Sequence, residues 1–198
     1  MYFTLKRWGD VVLAILLFLP SSIITAIILA ILRLEVDGSP IFVQRRIGYK
    51  GKIFKIYKIR TMSNKKRDEK NTPESDDRRL GRLGKVIRKS GLDELPEIIN
   101  IILGDMSFVG PRPLLTRYRK KYSEFQWRRH SVLPGITGLA QINGKEELAF
   151  DRRFEYDVHY VDNISFALDI WIMIMTTKTI FFGISTGYTK HVNLPQFK

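Results

Sequence analysis

From Val11 to Leu34 the chain runs through an almost unbroken apolar stretch of 24 residues. As one straight helix it would reach roughly 36 Å, enough to cross the hydrocarbon core of a bilayer. It is too long for a cleaved signal peptide, and no small-residue cleavage site follows. Pro20, followed by Ser21 and Ser22, sits inside the stretch. A proline there removes one backbone hydrogen bond and clashes with the preceding turn, so it breaks or kinks the helix. Both flanks are basic, with Lys6 and Arg7 before and Arg33, Arg45 and Arg46 after, so the positive-inside rule assigns no orientation. Two topologies therefore fit the residues: a spanning helix, and a helix-break-helix hairpin whose two ends return to one side. In the hairpin the hydroxyls of Ser21 and Ser22 satisfy carbonyls freed around Pro20.

The remaining chain is long enough for one ordinary domain with its own core. This gives a membrane segment over 1–35 with a basic leader, and a domain over 36–198. Cysteine is absent, which excludes a disulfide framework and thiolate chemistry. The three histidines, His130, His159 and His191, are too scattered for a metal site. The 33 Lys and Arg against 20 Asp and Glu leave a net charge of +13, which suits nucleic acid, an anionic membrane surface or phosphorylated substrates.

Within the domain, Ile41 to Gln44 and Ile53 to Arg60 read as two short strands around a turn at Gly48 to Gly51. Period two places Phe54, Ile56, Lys58 and Arg60 on one face, where two cations can clamp a diphosphate. Ser63 to Arg79 is nearly devoid of apolar residues and reads as a long mobile loop or lid. Leu80 to Lys89 is a short helix with Leu80, Leu83 and Ile87 on one side. Leu114 to His130 reads as a basic helix with Tyr118, Tyr122 and Phe125 on one face, a pattern that suits a membrane interface, RNA, or a packed face with solvated charges around it. Pro134 to Gly138 is a loop whose glycines allow a phosphate close to backbone N–H groups. A helix from Glu146 to Val161 aligns Asp157 with Phe150, Phe154 and Val161. A carboxylate on an apolar stripe needs a cation, a metal or a site beside it. Ser165 caps a last helix ending near Phe182. The fold class expected is α+β and mostly helical, with a small β-hairpin and interfacial amphipathic helices.

The densest signal is Ser90 to Pro113. Pro96 is strain-free only in a first helical turn, so a helix is expected to open within a residue or two of Asp93 and to close near Gly104. Asp93 and Glu94 then sit at the positive end of the helix dipole, which favours their ionised forms. Arg112 follows in a turn rich in Gly and Pro.

In order, Lys6-Arg7-x-x-Asp10, Gln44-x-Arg46-x-Gly48, Phe54 to Met62, Leu92-Asp93-Glu94-Leu95-Pro96, Gly104 to Pro113 and Pro134 to Gly138 resemble the bacterial sugar transferases. The likeness is to the small PglC-like monotopic phosphoglycosyl transferases. It implies transfer of a sugar-1-phosphate from a UDP-sugar to undecaprenyl phosphate, with Asp93 as nucleophile and Glu94 beside it, releasing UMP. It also implies Mg²⁺ held by Asp93, Glu94 and Asp157, and phosphate contacts from Lys58, Arg60, Arg88, Arg112 and Lys145. The implied partners are membrane lipid and downstream glycosyltransferases rather than nucleic acid. The implied place is the cytoplasmic face of a bacterial inner membrane, reached by a re-entrant helix broken at Pro20, Ser21 and Ser22. Two departures stand out. The proline follows Leu19 rather than serine, and Leu139 and Lys145 replace the usual Trp and Arg, the lysine losing the bidentate fork. A membrane-anchored binder of RNA or anionic lipid is the contrasting expectation, since it rests on charge alone and has no use for Asp93.

Overall fold

The computed structural model describes residues 2–33, 39–62, 81–144 and 148–182. Ser63 to Arg79, Leu80 and Lys145 lie outside these residues. The chain opens with helix α1, Tyr2–Leu32. The basic leader is therefore helical, and α1 begins nine residues before the apolar run. The expected break at Pro20 does not interrupt the helix. The Ser21 and Ser22 hydroxyls both donate to the Phe18 carbonyl, at 3.0 and 2.6 Å, a local bond pattern that lets helical backbone continue past a proline. Most of α1 is exposed, and its buried residues, Asp10, Ala14, Ser21, Ile28 and Leu32, form a narrow stripe. By length and composition it is the one helix among the described residues able to cross a membrane.

Strands β1 (Ile41–Ile47) and β2 (Ile53–Ile59) form the expected antiparallel hairpin, with Phe42 opposite Lys58 and Arg46 opposite Phe54. Helix α2 follows at Arg82–Lys89, burying Ile87 as expected. Helix α3, Glu97–Leu103, ends at Gly104 in the left-handed conformation that glycine adopts without penalty. Asn100, fully buried on α3, accepts from Tyr57 N at 3.2 Å and donates to the Lys55 carbonyl at 2.7 Å. That pair of bonds fixes α3 against β2.

The segment 114–130 is not one helix. It holds a 3₁₀ turn at Thr116–Tyr118, the short helix α4 at Glu124–Trp127, and a second 3₁₀ turn at Arg128–Ser131. Ser123 restarts the helix through a capping box with Gln126, a local signal that competes with helix continuation. Two of its aromatics face inward: Tyr118 packs on Phe150 and Tyr122 on Phe154.

Strand β3 (Ser107–Val109) pairs in parallel with β4 (Gly135–Thr137). Residues 135–137 of the expected phosphate loop are thus a strand, and the Gly135 amide is engaged. Gly135 N donates to the Pro111 carbonyl and Gly110 N to that of Thr137. Its glycine serves packing, since a Cβ on Gly135 would lie 2.1 Å from Gly110 N. Short helix α5 (Leu139–Ile142) leads to α6 (Phe150–Asp162) and α7 (Phe166–Phe182). Ser165 Oγ caps α7 by accepting from Leu168 N at 3.3 Å, as the sequence predicts.

Three apolar clusters organise the described residues. One gathers α5, α6 and α7 around β3 through Val109, Ile142, Tyr160 and Ile172. A second joins α1 to the hairpin and α3 through Ala14, Phe54, Ile56 and Ile101. The third joins the far end of α1 to β2 and α2 through Ile28, Leu32, Ile59 and Ile87. One body therefore touches α1 near both of its ends. Near the start, Lys6 Nζ pairs with Asp169 of α7 at 2.7 Å, and Arg7 donates to the Ile101 and Ile102 carbonyls at the α3 C-terminus.

Candidate active site

Pro96 shapes the local backbone around the two expected acids. It lacks an N–H, and its ring would crowd the carbonyl of Leu92. The residues before it therefore fold as a 3₁₀ turn, Leu92–Glu94, and α3 starts only at Glu97. Leu95 N bonds the Leu92 carbonyl at 3.3 Å and Glu94 N bonds that of Gly91 at 3.1 Å. Asp93 and Glu94 thus precede α3 instead of occupying its first turn, as the spacing predicts. Gly91, left-handed at φ 72°, makes the turn between α2 and these acids.

The two carboxylates live in different surroundings. Glu94 Oε1 receives Lys58 Nζ at 2.6 Å and Arg112 Nη2 at 2.9 Å. Burial by itself would raise the Glu94 pKa, but Arg112 and Lys58 outweigh it and hold the carboxyl down to about 2. Among the described residues nothing donates to the Asp93 side chain. Burial, reinforced by the charge on Glu94, pushes Asp93 above the ordinary carboxylate range, while Lys58, Arg112 and Arg88 oppose the shift. The helix dipole favours two ionised acids; the structure gives one clamped anion and one half-buried acid without a hydrogen-bond donor among the described residues. A carboxylate of that second kind is a usable nucleophile once ionised, because little hydration must be stripped from it.

The expected cations divide. Lys58 and Arg112 meet at Glu94. Arg88 is near enough for its charge to act on Asp93, and its guanidinium makes a long contact of 3.6 Å with Met62 Sδ. Arg60 lies over the Phe42 ring, 6.0 Å from its centroid, at the end of the same hairpin. Asp157 is brought to a cation rather than to Asp93. Its Oδ2 takes Arg129 Nη2 at 2.8 Å and Nε at 3.0 Å, and both residues are almost wholly buried. Arg129 Nη2 also donates to the Arg112 carbonyl at 2.6 Å, so the Asp157–Arg129 pair props the segment that carries Arg112.

That pairing gives the expected metal ligand Asp157 a cation partner of its own. No group of three His, Cys, Asp or Glu side chains able to hold a metal exists among the described residues. Asp93 and Glu94 still fit a hard cation that completes its shell with phosphate oxygens and water, since the Asp93 carboxyl has no competing donor among the described residues.

Two functional groups escape a reading of the sequence. Glu97, 1% exposed, places Oε1 2.9 Å from Lys58 Nζ. The approach is within ion-pair distance but off the line of a good hydrogen bond, so this oxygen lacks an aligned donor. Burial and the neighbouring Glu94 raise its pKa to about 7, against the pull of Lys58. The signal was present: 97, 98, 100 and 101 form the buried stripe of α3, and an acid on such a stripe needs a cation. Arg129 was one basic residue among many in 114–130, and nothing local marks it as the buried one.

The profile of the family described as bacterial sugar transferase matches residues 1–183. The chain is 45% identical over 194 residues to the "Uncharacterized sugar transferase EpsL" of Bacillus subtilis, covering 98% of this chain and 95% of that protein. It is 38% identical to the UDP-N-acetylgalactosamine-undecaprenyl-phosphate N-acetylgalactosaminephosphotransferase of Aeromonas hydrophila, over 92% of this chain and 45% of that one. It is also 38% identical to the UDP-glucose:undecaprenyl-phosphate glucose-1-phosphate transferase of Escherichia coli, over 87% of this chain and 39% of the relative. The chain therefore spans less than half the length of these last two relatives.

Proposed function

We propose that this chain, which belongs to the bacterial sugar transferase family, moves a sugar-1-phosphate from a UDP-sugar to undecaprenyl phosphate. The observation that carries the reading is the placing of a half-buried Asp93, which has no donor among the described residues, beside a Glu94 clamped by Lys58 and Arg112. The relatives named as undecaprenyl-phosphate sugar phosphotransferases support the donor and acceptor classes.

The chemistry runs in two displacements. An Asp93 carboxylate oxygen attacks the phosphorus that bears the sugar, and the bond from that phosphorus to the bridging oxygen breaks. UMP leaves with the bridging oxygen, and an aspartyl-phosphosugar remains. A phosphate oxygen of the lipid then attacks the same phosphorus, and Asp93 departs as carboxylate. The products are undecaprenyl-diphospho-sugar and UMP. Glu94 is a positioning residue in this scheme, because it holds Lys58 and Arg112 where charge builds on the transferring phosphoryl group. Arg88 adds positive charge near Asp93. Mg²⁺ held at Asp93 and Glu94 would supply neutralisation of diphosphate charge.

Helix α1 supports a membrane-bound enzyme with both helix ends on one side. Lys6 and Arg7 near its start and Leu32 near its end all contact the same body. At 1.5 Å per residue these points are separated by roughly 38 Å of helix, more than a hydrocarbon core. A straight span would put them across the bilayer from each other, whereas a re-entrant course, with α1 bending at Pro20 while its backbone stays helical, keeps the domain together on the cytoplasmic face. Undecaprenyl phosphate then meets the site at the membrane surface, and the product passes to later glycosyltransferases.

The test is incubation of the purified protein with a panel of UDP-sugars, Mg²⁺ and undecaprenyl phosphate. UMP release together with a lipid-linked sugar is expected, and Asp93→Asn should abolish both while the fold survives. Release of no UMP from any UDP-sugar contradicts the reading. Strengthened RNA or lipid binding on removing Asp93 would favour a simple anion binder instead.

A further inference from the structure

Glu97 has no part in the two displacements, yet it is buried against the cation that faces them. Its carboxyl is 1% exposed, three residues beyond Glu94 and on the first turn of α3. Lys58, from the adjacent strand β2, reaches both acids: 2.6 Å to Glu94 Oε1 in a directed hydrogen bond and 2.9 Å to Glu97 Oε1 without one. Arg112, from the turn after β3, bonds Glu94. Arg46, from β1, completes the set, lying near enough for the charges of Glu97 and Glu94 to act on it. One ammonium is therefore shared between two carboxyl groups, and among the described residues a second cation, Arg112, makes a direct ion-pair contact with Glu94 but not with Glu97.

We propose that Glu97 is a positioning residue that competes with incoming diphosphate for Lys58 and so sets how firmly the site holds its phosphorylated substrate. This rests on the functional reading above. The physical case is one of charge. A diphosphate brings further negative charge to a region already holding Asp93, Glu94 and Glu97. Lys58 can turn towards it only by weakening its hold on one acid. Glu94 is the firmer hold, since its contact is aligned; Glu97 is the one released. A lone carboxyl left behind in a buried place is costly, so Glu97 taxes substrate binding and returns Lys58 when UMP and the phosphosugar have left. The arrangement favours turnover over tight retention.

The test separates anion binding from catalysis. At about pH 8, above the value of about 7 at which Glu97 loses its proton, inorganic diphosphate and UMP are titrated calorimetrically into the full-length, detergent-solubilised protein and into Glu97→Gln. The amide keeps the size and an acceptor oxygen but removes the competing charge. Binding of diphosphate should tighten roughly tenfold, and the KM for the UDP-sugar should fall by a similar factor while kcat changes by less than about threefold. In a Lys58→Met background the same substitution should lose that gain, because the effect passes through Lys58. Should the amide variant not fold, Glu97→Asp withdraws the charge by one methylene and should move affinity the same way by a smaller factor. Unchanged or weaker diphosphate binding in either folded variant overturns the proposal. Tighter diphosphate binding with no UMP release by the wild type would leave this proposal standing and remove the transferase reading instead.

Discussion

Lys58 Nζ lies 2.6 Å from Glu94 Oε1, and that contact joins the β-hairpin to the turn that carries Asp93. Glu94 in turn binds Arg112, so one carboxylate gathers cations from two separate parts of the chain. Asp93, next to it, is left without a donor among the described residues. The site's asymmetry follows from this: a fixed anion organises the positive charge, and its neighbour is the group proposed to react.

Replacing Glu94 by Gln should therefore cost activity through placement of cations rather than through loss of a reacting group. UMP release should fall at least about a hundredfold, the order expected when a preorganised electrostatic contact is removed. Steady-state kinetics of UMP release measure it. A fall of less than about threefold would mean that Glu94 does not hold the site.

The dependence of stability on pH carries opposite signs for two neighbouring acids. Glu94 sits at about 2 against an ordinary 4.5, so its ionised form stabilises the fold above about pH 4.5, and that contribution is lost as pH falls towards 2. Glu97 sits at about 7 against 4.5. The folded protein keeps a proton there that the unfolded chain releases, and stability declines as pH rises from about 4.5 to 7. Thermal unfolding of the wild type and Glu97→Gln across this range is the check. The wild-type midpoint should drop relative to the variant towards pH 7; parallel curves would contradict the assignment.

Asp157 should behave as a structural ion pair. Asp157→Ala leaves the Arg129 guanidinium buried and unpaired, a change that costs about 3–5 kcal/mol. Urea unfolding of the protein in detergent should show that loss. Asp157→Asn, which still accepts a hydrogen bond, should keep more of the stability, and the Mg²⁺ concentration that half-saturates activity should stay unchanged. A large rise in that concentration would return Asp157 to the metal site.

Gly135→Ala should destabilise through backbone crowding. The added Cβ would fall 2.1 Å from Gly110 N and 2.4 Å from the Thr137 carbonyl oxygen, so β3 and β4 must separate. A loss above about 2 kcal/mol is expected, at the upper end of overpacking effects, with phosphate affinity falling only as far as folded protein is lost. Selective loss of phosphate binding in a fully folded variant would restore the phosphate-loop reading.

Residue chemistry made the hairpin, α2, the cap at Ser165 and the Asp93-Glu94-x-Pro96 turn legible, because each is written in a few adjacent residues. Longer-range features were not. The start of α3 at Glu97 depends on how Pro96 disrupts hydrogen bonding on its N-terminal side, so two acids that look like a first turn lie before it. The apparent helix 114–130 divides because the Ser123 cap outweighs a continuous basic pattern. Asp157 was recognised as an acid needing a partner, but spacing alone could not choose Arg129 over a metal. Glu97 was hidden by its neighbours: beside Asp93 and Glu94, a third acid reads as more of the same, until β2 brings Lys58 to it.

A carboxylate oxygen of Asp93 is the proposed acceptor of the phosphosugar. Intact-protein and peptide mass spectrometry on the enzyme quenched after mixing with a UDP-sugar and Mg²⁺, without lipid acceptor, tests this most directly. The expected result is an added sugar phosphate on the peptide containing Asp93, formed with a stoichiometric burst of UMP, discharged by undecaprenyl phosphate and absent from Asp93→Asn. UMP release that requires the lipid acceptor, with no adduct on Asp93 at any time, would contradict it.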